Sequence, residues 1–217
     1  MKTLSLLVGS SVVLFALGCD SNSGPAPKPP STTAAAPSPV ESTPNDQTPA
    51  PTWRVSTPTD DARTATVGGV VFPKPPTWTW QPTSMRFRTL EYQVPGQGDG
   101  SGAAELVFSL FLGGDGGPTS MNIERWKGQF RTVDGEVAEA VEESGETDGM
   151  KITMVSAAGH YKSMGAPAPR SGMGHTSAII EAPGRRIFVR LVGPEATVKA
   201  AEATFREMVS KASLAKK

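Results

Sequence analysis

Cysteine, histidine and charge of one sign are what this sequence has least of. Cys19 is the only cysteine, and His160 and His175 are the only histidines, among 217 residues. A lone thiol excludes an internal disulfide and a cysteine metal cluster. A metal site needs several convergent ligands, and two histidines separated by a Gly- and Pro-rich stretch, with no HxH or HExxH spacing, do not make one. Lys and Arg total 21 against 21 Asp and Glu, with no long block of either sign, which argues against nucleic acid or a strongly charged lipid surface as the partner. No GxSxG elbow is present. Acid pairs such as Glu142 and Glu143 lie in a charged run that reads as a solvated face. Enzymatic activity is therefore not expected, and neither is a metal or a cofactor. No internal repeat is found.

What is there begins at the first residues. Lys2 is followed by an uncharged run from Thr3 to Phe15 and then by Ala16-Leu17-Gly18-Cys19. A positive start, a short apolar stretch and small residues at a cut describe an export signal. The run of about 16 residues falls short of the roughly 20 needed to span a bilayer permanently. With the cysteine directly after the cut, the stretch resembles a bacterial lipobox. That resemblance implies removal of residues 1–18, thioether lipidation of Cys19 and acylation of the new amino terminus. More than one acyl chain satisfies the requirement for stable anchoring. The expected place is the bacterial cell envelope, on a membrane without crossing it, facing the periplasm or the exterior.

Residues 19–62 read as a tether. Ten of the twenty prolines fall between residues 20 and 60, mixed with Ser, Thr and Ala, and such a segment buries too little surface to offset its ordering entropy. At about 3.1 Å per residue, some 40 residues of extended chain reach on the order of 100 Å. Trp53 and Val55 are the apolar exceptions, expected to pack weakly back on the domain. Residues 63–217 are enough for one ordinary core and too few for two.

Within that domain the pattern is strand-rich with two helices. Val67–Phe72, stopped by Pro73, Pro75 and Pro76, fits an edge strand. Met85–Val94 changes phase near Arg88 and Thr89, which suggests a bulged strand. Ala104–Leu112 is apolar on both faces and hence central. Met150–Val155 alternates and runs on toward Tyr161. Thr176–Glu181 and Arg186–Val192 form a hairpin whose Pro183-Gly184 suits a type II turn. The first helix is expected over 119–131, with Gly128 inside it, and the last over 194–214, started by Pro194 and Glu195. Pairs Glu195–Lys199, Glu202–Arg206 and Glu207–Lys211 stand at i, i+4 in the favourable direction. Residues 133–147 fit a helix or an exposed strand equally well.

Two glycine-rich loops carry little. GQGDGSG (96–102) lies between strands, whereas a dinucleotide fingerprint requires strand, turn and helix in order. Gly113–Pro118 does lead into a helix, but it lacks the Lys and Ser or Thr of a P-loop, and Asp115 would repel phosphate. The sharpest pattern is Asn122-Ile-Glu-Arg125-Trp126-Lys-Gly128-Gln129. On a helix, Asn122, Arg125 and Gln129 make one polar stripe beside Trp126, able to bind a carboxylate, a sugar or a peptide strand. The same groups could instead fill core and tie down the glycine loop.

At these residues the domain resembles a group of bacterial envelope lipoproteins with no established activity. They combine a Trp-containing segment after proline-rich chain, a Met-Arg strand, Gly-Gly leading into an N-x-x-R-W-x-x-Q helix, and a closing Gly-Pro helix. The matching pieces here are Trp78, Met85-Arg86, Gly116-Gly117, Asn122 to Gln129 and Leu191 to Pro194, and the resemblance spans most of residues 70–212. More remotely, the order of elements is similar to Mog1/PsbP-like α-β-α sandwiches. This implies an α+β domain, an antiparallel sheet packed by two helices, and a non-catalytic binding or assembly role; no functional residue transfers. Two functions follow as expectations. The first is a tethered domain binding another envelope protein through its sheet or the stripe. The second is a small-ligand binder using Asn122, Arg125, Trp126 and Gln129 beside the Gly113–Gly117 loop.

Overall fold

The computed structural model describes residues 53–96 and 101–216. The signal segment, Cys19 and most of the tether lie outside the described residues. The first apolar run turns out to be two strands. Gly68 and Gly69 take φ of 59° and 69°, the two left-handed residues a two-residue I′ hairpin demands, so the chain reverses between β1 (Thr64–Val67) and β2 (Val70–Pro73). Both halves are apolar, so hydropathy alone reads Val67–Phe72 as a single edge strand; the glycine pair is what turns it.

After the prolines come β3 (Thr79–Gln81), β4 (Leu90–Val94) and β5 (Ala104–Leu112). The bulged strand expected from Met85 begins only at Leu90. Residues 85–88 form a turn closed by Arg88 N–H to the Met85 carbonyl, with Met85 64% and Phe87 72% exposed. The phase change was a strand end.

Helix α1 (Thr119–Lys127) stops four residues earlier than expected. Gly128 ends it, its N–H donating to Glu124 O, and the chain passes directly into β6 (Phe130–Arg131), which pairs with Tyr161 and His160. Gly128 is therefore a terminus and not an interior cost. Of the ambiguous stretch, Ala140–Thr147 is strand β7, mostly exposed. It is followed by β8 (Met150–Tyr161), β9 (Arg170–Ala182) and β10 (Arg185–Pro194). The β9–β10 turn is as expected, with Gly184 at φ 71°. Helix α2 (Glu195–Ser210) ends short of Leu214, and β11 (Ser213–Leu214) pairs with β2. Glu202–Arg206 and Glu207–Lys211 form; Glu195–Lys199 is not among the ion pairs of the described residues.

The strands make a small sheet, β1-β2-β11, and a large one ordered β3-β4-β5-β10-β9-β8-β6, with β7 also on β8; every pairing is antiparallel. β5 is central, as its two apolar faces required. Alternation sorts each strand into two sets. Leu106, Phe108, Ile187, Val189 and Leu191 point to one side, where α2 (Val198, Phe205, Met208) and the small sheet (Val67, Phe72) complete the main core. Phe188 points to the other, where Ile123 and Trp126 of α1 cover it together with Ile179 and Val155. The protein is thus an α+β fold, an antiparallel sheet with a helix on each face.

Its packing reaches back into the segment assigned to the tether. Ser56 exchanges hydrogen bonds with Thr66, Val55 joins the main core, and Trp53 stacks under the Arg185 guanidinium at 4.0 Å. Trp53 and Val55 pack back as expected, and the domain extends before residue 63 because two isolated apolar side chains leave no periodic signal to mark its start.

Candidate functional site

Helix α1 lies over β10, β9 and β8 and does not cover the β5 part of the same sheet face, where Glu105 is exposed and Val107 and Ser109 are half-buried. Its flank toward β7 is fixed by Lys127, which bridges Glu124 and Glu142. Its other flank carries the expected stripe, and Gln129 Oε1 there accepts from Arg190 Nη2 at 2.9 Å on β10. The stripe therefore borders the uncovered part.

Each member has a partner within the chain. Asn122 is buried; its amide donates to the carbonyls of Gly116 (2.7 Å) and Pro118 (3.0 Å), and its oxygen accepts from Arg125 (2.6 Å). Gln129 lies beyond the helix end, so the i+7 relation that placed it in the stripe comes about through the cap. Trp126 is fully buried, edge-on to Phe188 at 5.5 Å and beneath Arg190 at 5.0 Å. No open aromatic face is left for a sugar to stack on. Asn122 is the tie that holds the Gly113–Gly117 loop to the helix. Asn122→Ala should cost about 1 kcal/mol by removing the buried amide that ties the half-buried Gly116 carbonyl to the helix, measured as a lower urea midpoint with unchanged m.

The uncovered part is built in cross-strand rows. Arg190 pairs with Val107 and Val107 with Glu91, so these three side chains share a face, as do Glu105 and the half-buried Ser109. On the far side the 82–88 turn folds over β4: Ser84 N–H donates to Glu91 Oε1 at 2.7 Å, and Arg88 Nη1 reaches Glu91 (2.9 Å) and Glu105 (3.2 Å). We term the trough the strip of this face that lies between α1 and the turn bearing Met85 and Phe87, with the half-buried Val107 and Ser109 on it.

Its charges are unevenly matched. Burial works against the Arg88 cation, but Glu91 and Glu105 outweigh it and raise its pKa. Arg190 has no such help. Burial lowers its pKa, Arg125 and Arg88 add repulsion, and only Tyr161 opposes; a guanidinium nevertheless stays charged. Its Nε is buried without a hydrogen-bond partner among the described residues. Sequence reasoning passed over Arg190, although its signal was legible: in Arg186-Ile-Phe188-Val-Arg190, a cation shares the register of a core phenylalanine.

The two histidines do not share an environment. His175 is 1% exposed, stacked on Phe130 at 4.5 Å, with Ser177 Oγ 3.2 Å from Nδ1. Burial, aided by Arg190, pushes it down to about 3. His160 sits opposite Arg131 on β8. Among the described residues no group of three His, Cys, Asp or Glu could hold a metal ion. Two surface hollows exist elsewhere, one between Pro73–Pro76 and α2, the other around β11. Lys74 lines the first, but its ammonium already donates to the carbonyls of Ala62, Pro75 and Trp78.

No family model and no curated protein sequence matches the chain. Solved structures with similar coordinates include a protein of unknown function from Pseudomonas aeruginosa (13% identity, 68% of this chain and 92% of that one, TM-score 0.42). Another is LpqN of Mycobacterium tuberculosis, involved in cell envelope biogenesis (12%, 66% and 82%, 0.45). A third is the cyanobacterial PsbP of Synechocystis (12%, 67% and 86%, 0.45). None places a functional residue on this chain.

Proposed function

We propose that this chain is a lipid-anchored, non-catalytic binding protein of the bacterial cell envelope, held at Cys19, spaced from the membrane by its proline-rich tether, and binding another envelope component through the trough. The observation that carries the reading is the partly covered sheet face. A face left open beside α1, with Met85 and Phe87 standing exposed on its rim, is a surface at which large apolar side chains remain to be covered. The lipobox and tether support the location, and no helix among the described residues is long and apolar enough to cross a membrane.

The test is photo-crosslinking in intact cells, with the reactive residue at Val107, at Phe87, or at Lys199 on the exposed side of α2. Adducts of one mass at 107 and 87, absent at 199, support the surface. They should vanish from the membrane fraction when Cys19→Ser releases the chain. Adducts only at 199, or at none of the three, would remove the trough from the account.

A further inference from the structure

Resting on that reading, we propose that the trough receives an extended acidic peptide, one carboxylate of which seats between Arg125 and Arg190. Three observations lead there. The first is charge. Of the arginines around the trough, Arg88 is matched by Glu91 and Glu105, whereas Arg125 has the neutral oxygen of Asn122, and Arg190 that of Gln129 with the Tyr161 side chain beside it, and neither hydrogen-bonds a carboxylate among the described residues. A carboxylate between them would relieve their mutual repulsion.

The second is order. Arg190 is held from one side by the Trp126 ring and from another by Gln129, so its planar donor fork is fixed before anything binds. Such a fork matches a carboxylate in two-point geometry, and little side-chain entropy remains to be lost. Arg125 is exposed and can close from the helix.

The third is shape. With strands about 4.8 Å apart, the strip from Arg190 on β10 across β5 to Glu91 on β4 is about 10 Å wide, the width of one extended chain. Val107 and Ser109 lie half-buried along that strip beside the Arg88, Glu91 and Glu105 cluster, and the exposed Phe87 offers contact to the apolar residues that flank an acid in such a peptide.

The experiment uses the 15N-labelled protein purified from membranes in detergent micelles. It is titrated with acetyl-Val-Glu-Val-Glu-Val-amide, with the same peptide carrying Gln for Glu, and with sodium acetate. The acidic peptide should move the Arg190 Nε–Hε resonance and the Val107 and Ser109 amides to saturation, and the Gln peptide and acetate should bind at least about tenfold more weakly. Arg125→Gln, at an exposed position, should weaken the acidic peptide by about tenfold, and Lys199→Gln should leave it unchanged. Equal binding of the Gln peptide would overturn the carboxylate, acetate of equal affinity would overturn the peptide, and an unmoved Arg190 resonance would overturn the site. If the envelope crosslinks at Val107 persist while Arg190 does not respond, the acidic peptide is wrong and the binding surface stands. If both are absent, the surface falls too.

Discussion

Trp126→Ala should destabilise the domain by about 3–5 kcal/mol, the largest effect expected from any single truncation on the α1 face. The indole is fully buried between Ile123, Phe188, Ile179 and Val155, and it is the only side chain of α1 that also supports Arg190. Removing it leaves a cavity that a nine-residue helix held by few other contacts cannot close. Arg190 would lose the ring on which its desolvated guanidinium rests. Trp126→Phe separates the two contributions. It keeps an edge contact to Phe188 and deletes an indole N–H that is buried without a partner among the described residues, so the cost should fall below about 2 kcal/mol. Urea unfolding of the three proteins checks this. If the alanine variant loses less than about 1 kcal/mol, α1 is not packed as described.

How much of this was legible beforehand depends on which signal each element carries. The β9–β10 hairpin, the central β5 and the α2 stripe were readable because period and turn chemistry agreed over whole elements. The β1–β2 hairpin was missed because Gly68 and Gly69 interrupt a run whose residues are apolar on both sides, and hydropathy alone does not register a reversal. The end of α1 was misplaced because Phe130 keeps the helical spacing of Ile123 and Trp126, although its partner is Tyr161 on β8 and not another helix face. The polar stripe was readable as residues and, for Asn122 and Trp126, as a role too: filling core and tying down the glycine loop is one of the two readings its sequence supports, and it is what these two side chains do. Asn122 finds its partners locally, in Gly116 and Pro118 six and four residues before it, whereas Gln129 is occupied by Arg190, 61 residues away, and only strand register brings that pair together. The trough has the same origin: it exists because β5 pairs with β10, and no local pattern contains that fact.

His175 should make stability depend steeply on mildly acidic pH. Buried against Phe130, with Nε2 lacking a partner among the described residues, it stays neutral in the folded chain down to about pH 3. In the unfolded chain it takes up a proton near pH 6.5. Between those values the unfolded state binds the extra proton, so the free energy of unfolding falls as pH falls, at up to about 1.4 kcal/mol per pH unit, and the residue adds no slope above about pH 7. From pH 6.5 to 4.5 this one side chain should therefore cost about 2.5 kcal/mol. His175→Phe keeps a ring against Phe130 and cannot titrate. The carboxylates that also titrate in this range are common to both proteins and cancel in the difference. Urea unfolding at pH 4.5 and 6.5 should show the wild type losing about 2–3 kcal/mol more than the variant, and parallel losses would mean that the imidazole is reached by water or protonated in place. A proton there would set a second cation beside Arg190, which already lacks a carboxylate among its side-chain hydrogen bonds within the described residues. The acid sensitivity of His175 comes first from its burial, and the unmatched charge of Arg190 adds to it.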